Sequence, residues 1–142
     1  MKVLAVSFDM LDPYAVYGIC KIRQDVFIVE QNCPYPDLDT RDVDPETRHV
    51  LLMIDDALLG YARVLDDGEV WRIGRVLLAP DARGRGWADL IMDTALNVSK
   101  ERDVVLDAQS PLAGWYATFG FEADGDEFLE DGIPHTPMRL SR

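Results

Sequence analysis

Apolar and polar positions alternate along the 142-residue chain in a way that switches between strand and helix periods. Residues 2–8, KVLAVSF, read as a first strand, and Asp12 before Pro13 is an N-cap with proline at the first helical position. From Pro13 to about Val29, apolar Val16, Ile19, Ile22, Val26 and Phe27 recur at three- and four-residue spacing. That spacing predicts a helix packed inward on this side, with Lys21, Arg23 and Asp25 facing water. Residues 32–45, NCPYPDLDTRDVDP, hold three prolines and four aspartates without periodicity, so a long loop is expected there.

Three β-runs follow, HVLLMI (49–54), LLGYARVL (58–65) and EVWRIGRVLLA (69–79), joined by turns at Asp55-Asp56 and Asp66-Asp67-Gly68. Short turns between apolar runs predict an antiparallel meander. Residues 85–101 are amphipathic, with Leu90, Ile91, Ala95 and Val98 on one face, and VVLDA (104–108) is a short apolar strand. A strand reached through a helix should lie parallel to the 71–79 strand in a right-handed crossover. LAGWYATF (112–119) reads as one more helix, ended by Gly120, and residues 121–140 give two or three last strands around Gly125 and Gly132. The order β-α-β-β-β-α-β-α-β-β predicts an α+β fold. Its mixed sheet should be mostly antiparallel, with one central parallel pair and helices on both faces.

Length and composition narrow the class. A chain of 142 residues, 48% hydrophobic, is long enough to bury roughly two-thirds of its unfolded surface, and one domain over 1–142 is expected. No apolar run approaches the roughly 18 residues that cross a bilayer, and MKVLAVSFDMLDP meets charge too early for a signal peptide. A cytoplasmic protein without membrane contact is therefore expected, with Cys20 and Cys33 as reduced thiols. The formal charge of −12 disfavours a nucleic-acid surface and favours an amine partner. Against that background Arg72, Arg75, Arg83 and Arg85 gather in one stretch. The aspartates Asp37, Asp39, Asp42 and Asp44 do not make an EF-hand, because Asp42 stands where glycine is needed and Arg48 where glutamate is needed. A solvated acidic loop facing an amine substrate is expected instead, and no metal site.

The chemistry concentrates between Trp71 and Arg102. An apolar strand meets Pro80, then Arg83-Gly84-Arg85-Gly86, then the helix. Backbone N–H groups at a helix start have no intrahelical partners and lie at the positive end of its dipole, a place that binds phosphate. Gly84 and Gly86 remove Cβ atoms that would obstruct converging donors, small Ala88 lets the helix start sit close to the strand, and Arg83 or Arg85 adds charge. The third glycine of a dinucleotide fingerprint and the GKS or GKT of a P-loop are both missing.

Arg83-x-x-Gly86-x-Ala88 in this context resembles the acyl-CoA pyrophosphate loop of the GNAT N-acetyltransferases. Tyr116-Ala-Thr-Phe-Gly120-Phe121 is similar to that family's tyrosine helix and the strand after it. VFIVEQNCPYPDLD (26–39) and EDGIPH (130–135) resemble its ElaA-like branch. The resemblance implies acetyl transfer from acetyl-CoA to a primary amine, of a small molecule or a peptide, by direct attack in a ternary complex. It implies that the strand before the loop splays from residues 104–108, and that Val76, Leu77 and Leu78 hold pantetheine and aim an N–H at the thioester carbonyl. The pyrophosphate falls to Arg83, Gly84, Arg85, Gly86, Trp87 and Ala88, and Tyr116 contacts the CoA sulfur as general acid. Many relatives carry a glutamate on the strand before the loop, where this chain has Arg72 and Arg75. The base is left open among Glu30, His49, Glu130, His135 and water, while Gln31, Asn32, Gln109 and His49 are candidate substrate contacts. A non-catalytic acyl-CoA-binding or regulatory module is the alternative, and a homodimer is an open option.

Overall fold

The computed structural model describes all residues, Met1 to Arg142. Its strands are β1 (Lys2–Val6), β2 (Arg48–Ile54), β3 (Ala57–Asp66), β4 (Val70–Leu78), β5 (Asp103–Gln109), β6 (Glu122–Ala123), β7 (Phe128–Glu130) and β8 (Ile133–Leu140). The helices are α1 (Pro13–Arg23), α2 (Trp87–Asn97) and α3 (Ala113–Ala117), and a π-helical turn over Gln24–Glu30 continues α1. The sheet runs β1-β2-β3-β4-β5-β8-β6, with β7 also paired to β8. Every pairing is antiparallel except β4 with β5.

Local signals account for the elements that sit where they were expected. Asp12 caps α1, its Oδ1 accepting from the Ala15 N–H at 2.8 Å, with Pro13 just inside. Strand β2 reads as an unbroken apolar run because both of its faces are covered. Val50 and Leu52 pack with Ile91, Met92 and Ala95 of α2, while Leu51 joins Tyr61, Leu77 and α1's Ile19 and Ile22 on the opposite side. Gly60 permits the close approach of α2, since a Cβ there would lie 2.6 Å from Ile91 Cδ1.

Several boundaries differ from the expectation. The helix expected over 13–29 changes winding at Gln24, and α2 covers Trp87–Asn97 rather than 85–101. Leu90 is exposed, so the buried stripe of α2 is Ile91, Met92 and Ala95. The 112–119 helix is a 3-10 turn over Ser110–Leu112 leading into five residues of α3.

The feature that shapes the site is in β4. Tyr61 of β3 faces Leu77 and Arg63 faces Gly74, so Ala62 alone stands opposite Arg75 and Val76. This is a bulge, and Arg75 adopts φ 54° within it. The parallel ladder joins only Val70–Arg72 to Asp103–Val105. Beyond that the bulged strand bends away and the two strands diverge, as the resemblance implied.

Candidate active site

The divergence opens a cleft of about 790 Å³. Its walls include Val76, Leu77, Leu78 and Arg83 from one arm, Leu106 and Gln109 from the other, and Tyr116 from α3. Phe27, Glu30 and Gln31 reach it from the π-helical turn, and Glu130, Asp131 and His135 from the β7–β8 hairpin. The cleft thus gathers residues that lie more than a hundred positions apart in the chain, as Phe27 and His135 do.

At one end of the cleft, the turn Arg83–Gly86 enters α2. Gly84 and Gly86 hold φ of 79° and 77°, which side-chain-bearing residues rarely adopt, and a Cβ at either would meet no atom within 4 Å. The glycines therefore serve backbone conformation and leave open space above the loop. Gly86 is the N-cap of α2 and offers no side chain to the first-turn N–H groups, so these donors remain for a ligand. Arg85 lies over the Trp87 ring, 5.1 Å from its centroid. An acyl-CoA pyrophosphate fits such a cradle.

Tyr116 is buried, packed edge-on against Trp115 and Phe121, and its hydroxyl makes no hydrogen bond within the chain. Burial pushes its pKa up to about 12. On the cleft wall formed by the β7–β8 hairpin, His135 Nδ1 lies 2.7 Å from Ile133 O; a carbonyl only accepts, so that nitrogen carries the N–H and Nε2 is the one left toward other partners. Nε2 is 3.8 Å from Glu130 Oε2, and Phe128 stacks on the imidazole. Gln109 Nε2 donates to Gln31 Oε1 at 3.0 Å, so two expected substrate contacts do meet.

Other expectations are corrected. His49 is 1% exposed and outside the cleft; its ring nitrogens are engaged by Tyr61 Oη at 2.5 Å and Asp42 O at 2.9 Å. Burial lowers its pKa, so it is a neutral core residue rather than a base. Asn32 is exposed in a left-handed turn (φ 50°) and does not line the cleft. Glu30 is in the cleft but paired: its Oε2 and Oε1 accept from Arg83 Nη1 at 2.6 Å and Nη2 at 2.8 Å. That pairing depresses the carboxyl pKa and makes it a poor proton acceptor.

The loop expected to be solvated and to face an amine is instead neutralised from within. Asp37 Oδ2 accepts from Arg23 Nε at 2.9 Å, and its Oδ1 from Arg75 Nε at 2.8 Å and from Tyr35. Arg63 binds Asp39 through both terminal nitrogens at 2.8 Å and reaches Asp42 at 3.1 Å. Arg23, expected to face water, is 1% exposed. Nor do the four clustered arginines surround the glycine turn. Arg72 pairs with Asp67 and Arg75 with Asp37, leaving Arg85 as the one of the four without a carboxylate partner. The missed residues are therefore Arg23, Asp37 and Arg75, which clamp the β4 bulge to the loop and α1. Their signal was an arginine inside each apolar pattern, a position that requires a buried carboxylate nearby.

A mixed sheet that opens at its one parallel pair, beside a glycine turn entering a helix, defines the acyl-CoA N-acyltransferase architecture. An acyl-CoA N-acyltransferase from Pseudomonas aeruginosa superposes with a TM-score of 0.94 and 33% identity, over 99% of this chain and 100% of that one. Residues 24–142 match the family model described as acetyltransferase (GNAT) domain, and the chain belongs to this family of acyltransferases. It is 46% identical over 133 residues to a UPF0039 protein of Mycobacterium tuberculosis, covering 90% of this chain and 85% of the relative. Protein ElaA of Escherichia coli is 38% identical over 130 residues, covering 87% of this chain and 85% of ElaA. The ElaA crystal structure superposes with a TM-score of 0.95 and 33% identity over 99% of this chain and 100% of that one. No helix is long and apolar enough to cross a membrane.

Proposed function

We propose that this acyltransferase is a cytoplasmic enzyme that moves an acetyl group from acetyl-CoA to a primary amine, of a small molecule or a peptide, by direct attack in a ternary complex. The observation that carries the proposal is the splayed cleft itself, where β4 beyond its bulge, the partnerless Tyr116 hydroxyl and His135 line one space. When bound, acetyl-CoA supplies a thioester-activated acetyl group. The rest of the chemistry falls to the chain.

Val76, Leu77 and Leu78 run beyond Arg72 without a ladder on the β5 side, so amides directed there can hold pantetheine and donate to a carbonyl oxygen as negative charge develops. Amides of residues 84–88 and the Arg85 guanidinium suit the phosphates. Tyr116 donates its hydroxyl hydrogen toward the thioester sulfur. With its pKa near 12 and a free thiol near 8.5, complete proton transfer is uphill by about 5 kcal/mol, so hydrogen bonding in the transition state is its main contribution. His135 is the preferred base among the candidates, because it lines the cleft and its Nδ1–H is anchored on Ile133 O, so that Nε2 is the nitrogen available to receive the proton. Glu130 beside it attracts the acceptor ammonium and stabilises the imidazolium that forms.

The test is calorimetric titration with acetyl-CoA alongside a transfer assay over a broad amine panel. Wild type should bind and transfer; Gly86→Trp should lose binding, and Tyr116→Phe should keep binding while transfer falls ~100-fold. Binding by wild type without transfer to any amine would replace the enzyme by an acyl-CoA-binding module. Binding that survived Gly86→Trp would remove the loop from the site.

A further inference from the structure

Two consecutive residues at the end of the π-helical turn reach the two arms of the cleft. Glu30 holds Arg83 through two hydrogen bonds, of 2.6 and 2.8 Å. Arg83 in turn donates from Nε and Nη2 to Leu78 O, at 3.1 and 3.0 Å. Leu78 is the last residue of β4. Gln31 accepts at 3.0 Å from Gln109, the last residue of β5. The two strands bond to each other only at their far ends, so their own ladder does not set the spacing between Leu78 and Gln109.

We propose that Glu30 and Gln31 form a crossbar across the open end of the splayed strands, fixing its width and so restricting the acyl group between them to a short one. The proposal rests on the cleft being the acyl-CoA site. It makes Arg83 a positioning residue rather than a phosphate ligand. Four hydrogen bonds hold its guanidinium on Glu30 and Leu78, and it lines the cleft while Gly84 to Ala88 do not. The crossbar sits where the π-helical turn ends, Glu30 being its last residue and Gln31 its C-cap, and the two side chains bond to opposite arms. Loosening either end should let the strands part further without touching the phosphate cradle.

The experiment titrates acetyl-CoA and hexanoyl-CoA into wild type, Glu30→Ala, Gln31→Ala, Arg83→Ala and the Glu30→Ala/Arg83→Ala double variant, with amide hydrogen exchange followed over residues 24–31 and 76–78. Each variant should shift the affinity ratio toward hexanoyl-CoA by about threefold or more, since a few added methylenes are strongly discriminated only by a pocket of fixed size. Exchange over both segments should quicken. The double variant should be no worse than its parents, because the two side chains act as one strap. An unchanged ratio would overturn the proposal. So would tighter binding of both thioesters by Glu30→Ala together with a loss beyond about tenfold in Arg83→Ala, the pattern of a phosphate-binding arginine held off by Glu30. Failure of wild type to bind either thioester would instead overturn the site on which the crossbar rests.

Discussion

Asp37, Asp39, Asp42 and Asp44 all accept hydrogen bonds from arginine side chains, whereas Glu122, Asp124, Asp126, Glu127 and Asp131 meet none. The two segments look alike in composition and behave oppositely. The first is drawn inward because Arg23 and Arg63 are buried against the sheet and α1, with Arg75 half-buried beside them, and a buried guanidinium needs a carboxylate. The second lies along β6, the β6–β7 connection and the β7–β8 turn with exposed side chains, so part of the net charge of −12 is displayed there, beside the cleft wall formed by Glu130 and His135. Acidity in the first segment is taken up by arginines of the fold; in the second it faces solvent, where it would act as a field on the proposed cationic acceptor.

Removing the best-connected member of the inner network should give the largest effect. Asp37→Ala removes one of the two carboxylates on buried Arg23, which keeps Asp42 at 2.6 Å, and the nearer of the two on Arg75, and should cost about 3 kcal/mol of unfolding free energy in urea denaturation. A loss below ~1 kcal/mol would mean that the network is no more structural than a surface pair.

Acid should reach the inner segment next. Despite burial that opposes it, Arg63 holds Asp39 down at about 2, and Asp42 is lowered by Arg23 and Arg63. A depressed carboxyl stabilises the fold fully above its unfolded pKa near 3.9 and loses that contribution as pH falls toward the folded value. Stability followed by circular dichroism should therefore fall steeply between about pH 4 and pH 2. A shallower decline should begin below about pH 6.5, where the unfolded chain protonates His49 while the folded chain, with that pKa lowered, resists. A His49→Gln variant that kept this upper slope would assign it to another group.

The outer segment should respond least in stability and most in salt dependence. The triple change Asp124→Asn/Asp126→Asn/Glu127→Gln should alter unfolding free energy by less than about 0.5 kcal/mol. It should nevertheless flatten the ionic-strength dependence of kcat/KM for a cationic acceptor, measured by stopped assays across a salt series. A destabilisation as large as that of Asp37→Ala would erase the distinction between the segments.

What was legible in the chain is local. The Asp12-Pro13 helix start, the meander over 49–79 and the glycine turn into α2 all rest on neighbours a few residues apart. What was not legible depends on partners far away. Nothing in WRIGRVLL marks Arg75 as the left-handed bulge residue, because that conformation is held by Asp37 and Tyr35 across the fold. Glu30 looked like a free base until Arg83, 53 positions on, closed on it. His49 looked like a site residue in sequence because a histidine next to an apolar run carries no sign of which side it faces.

The sequence by itself determined most of the order of elements, the α+β class, the glycine turn into α2 and the helical segment that carries Tyr116, since period, capping and glycine conformation are encoded over short windows. Tertiary structure alone decided which carboxylates are buried, which histidine lines the cleft and how far β4 and β5 part. Those outcomes follow from long-range ion pairs, the buried side chains of both faces and one bulge. Their energies exist only once residues 23, 37, 63 and 75 are brought together.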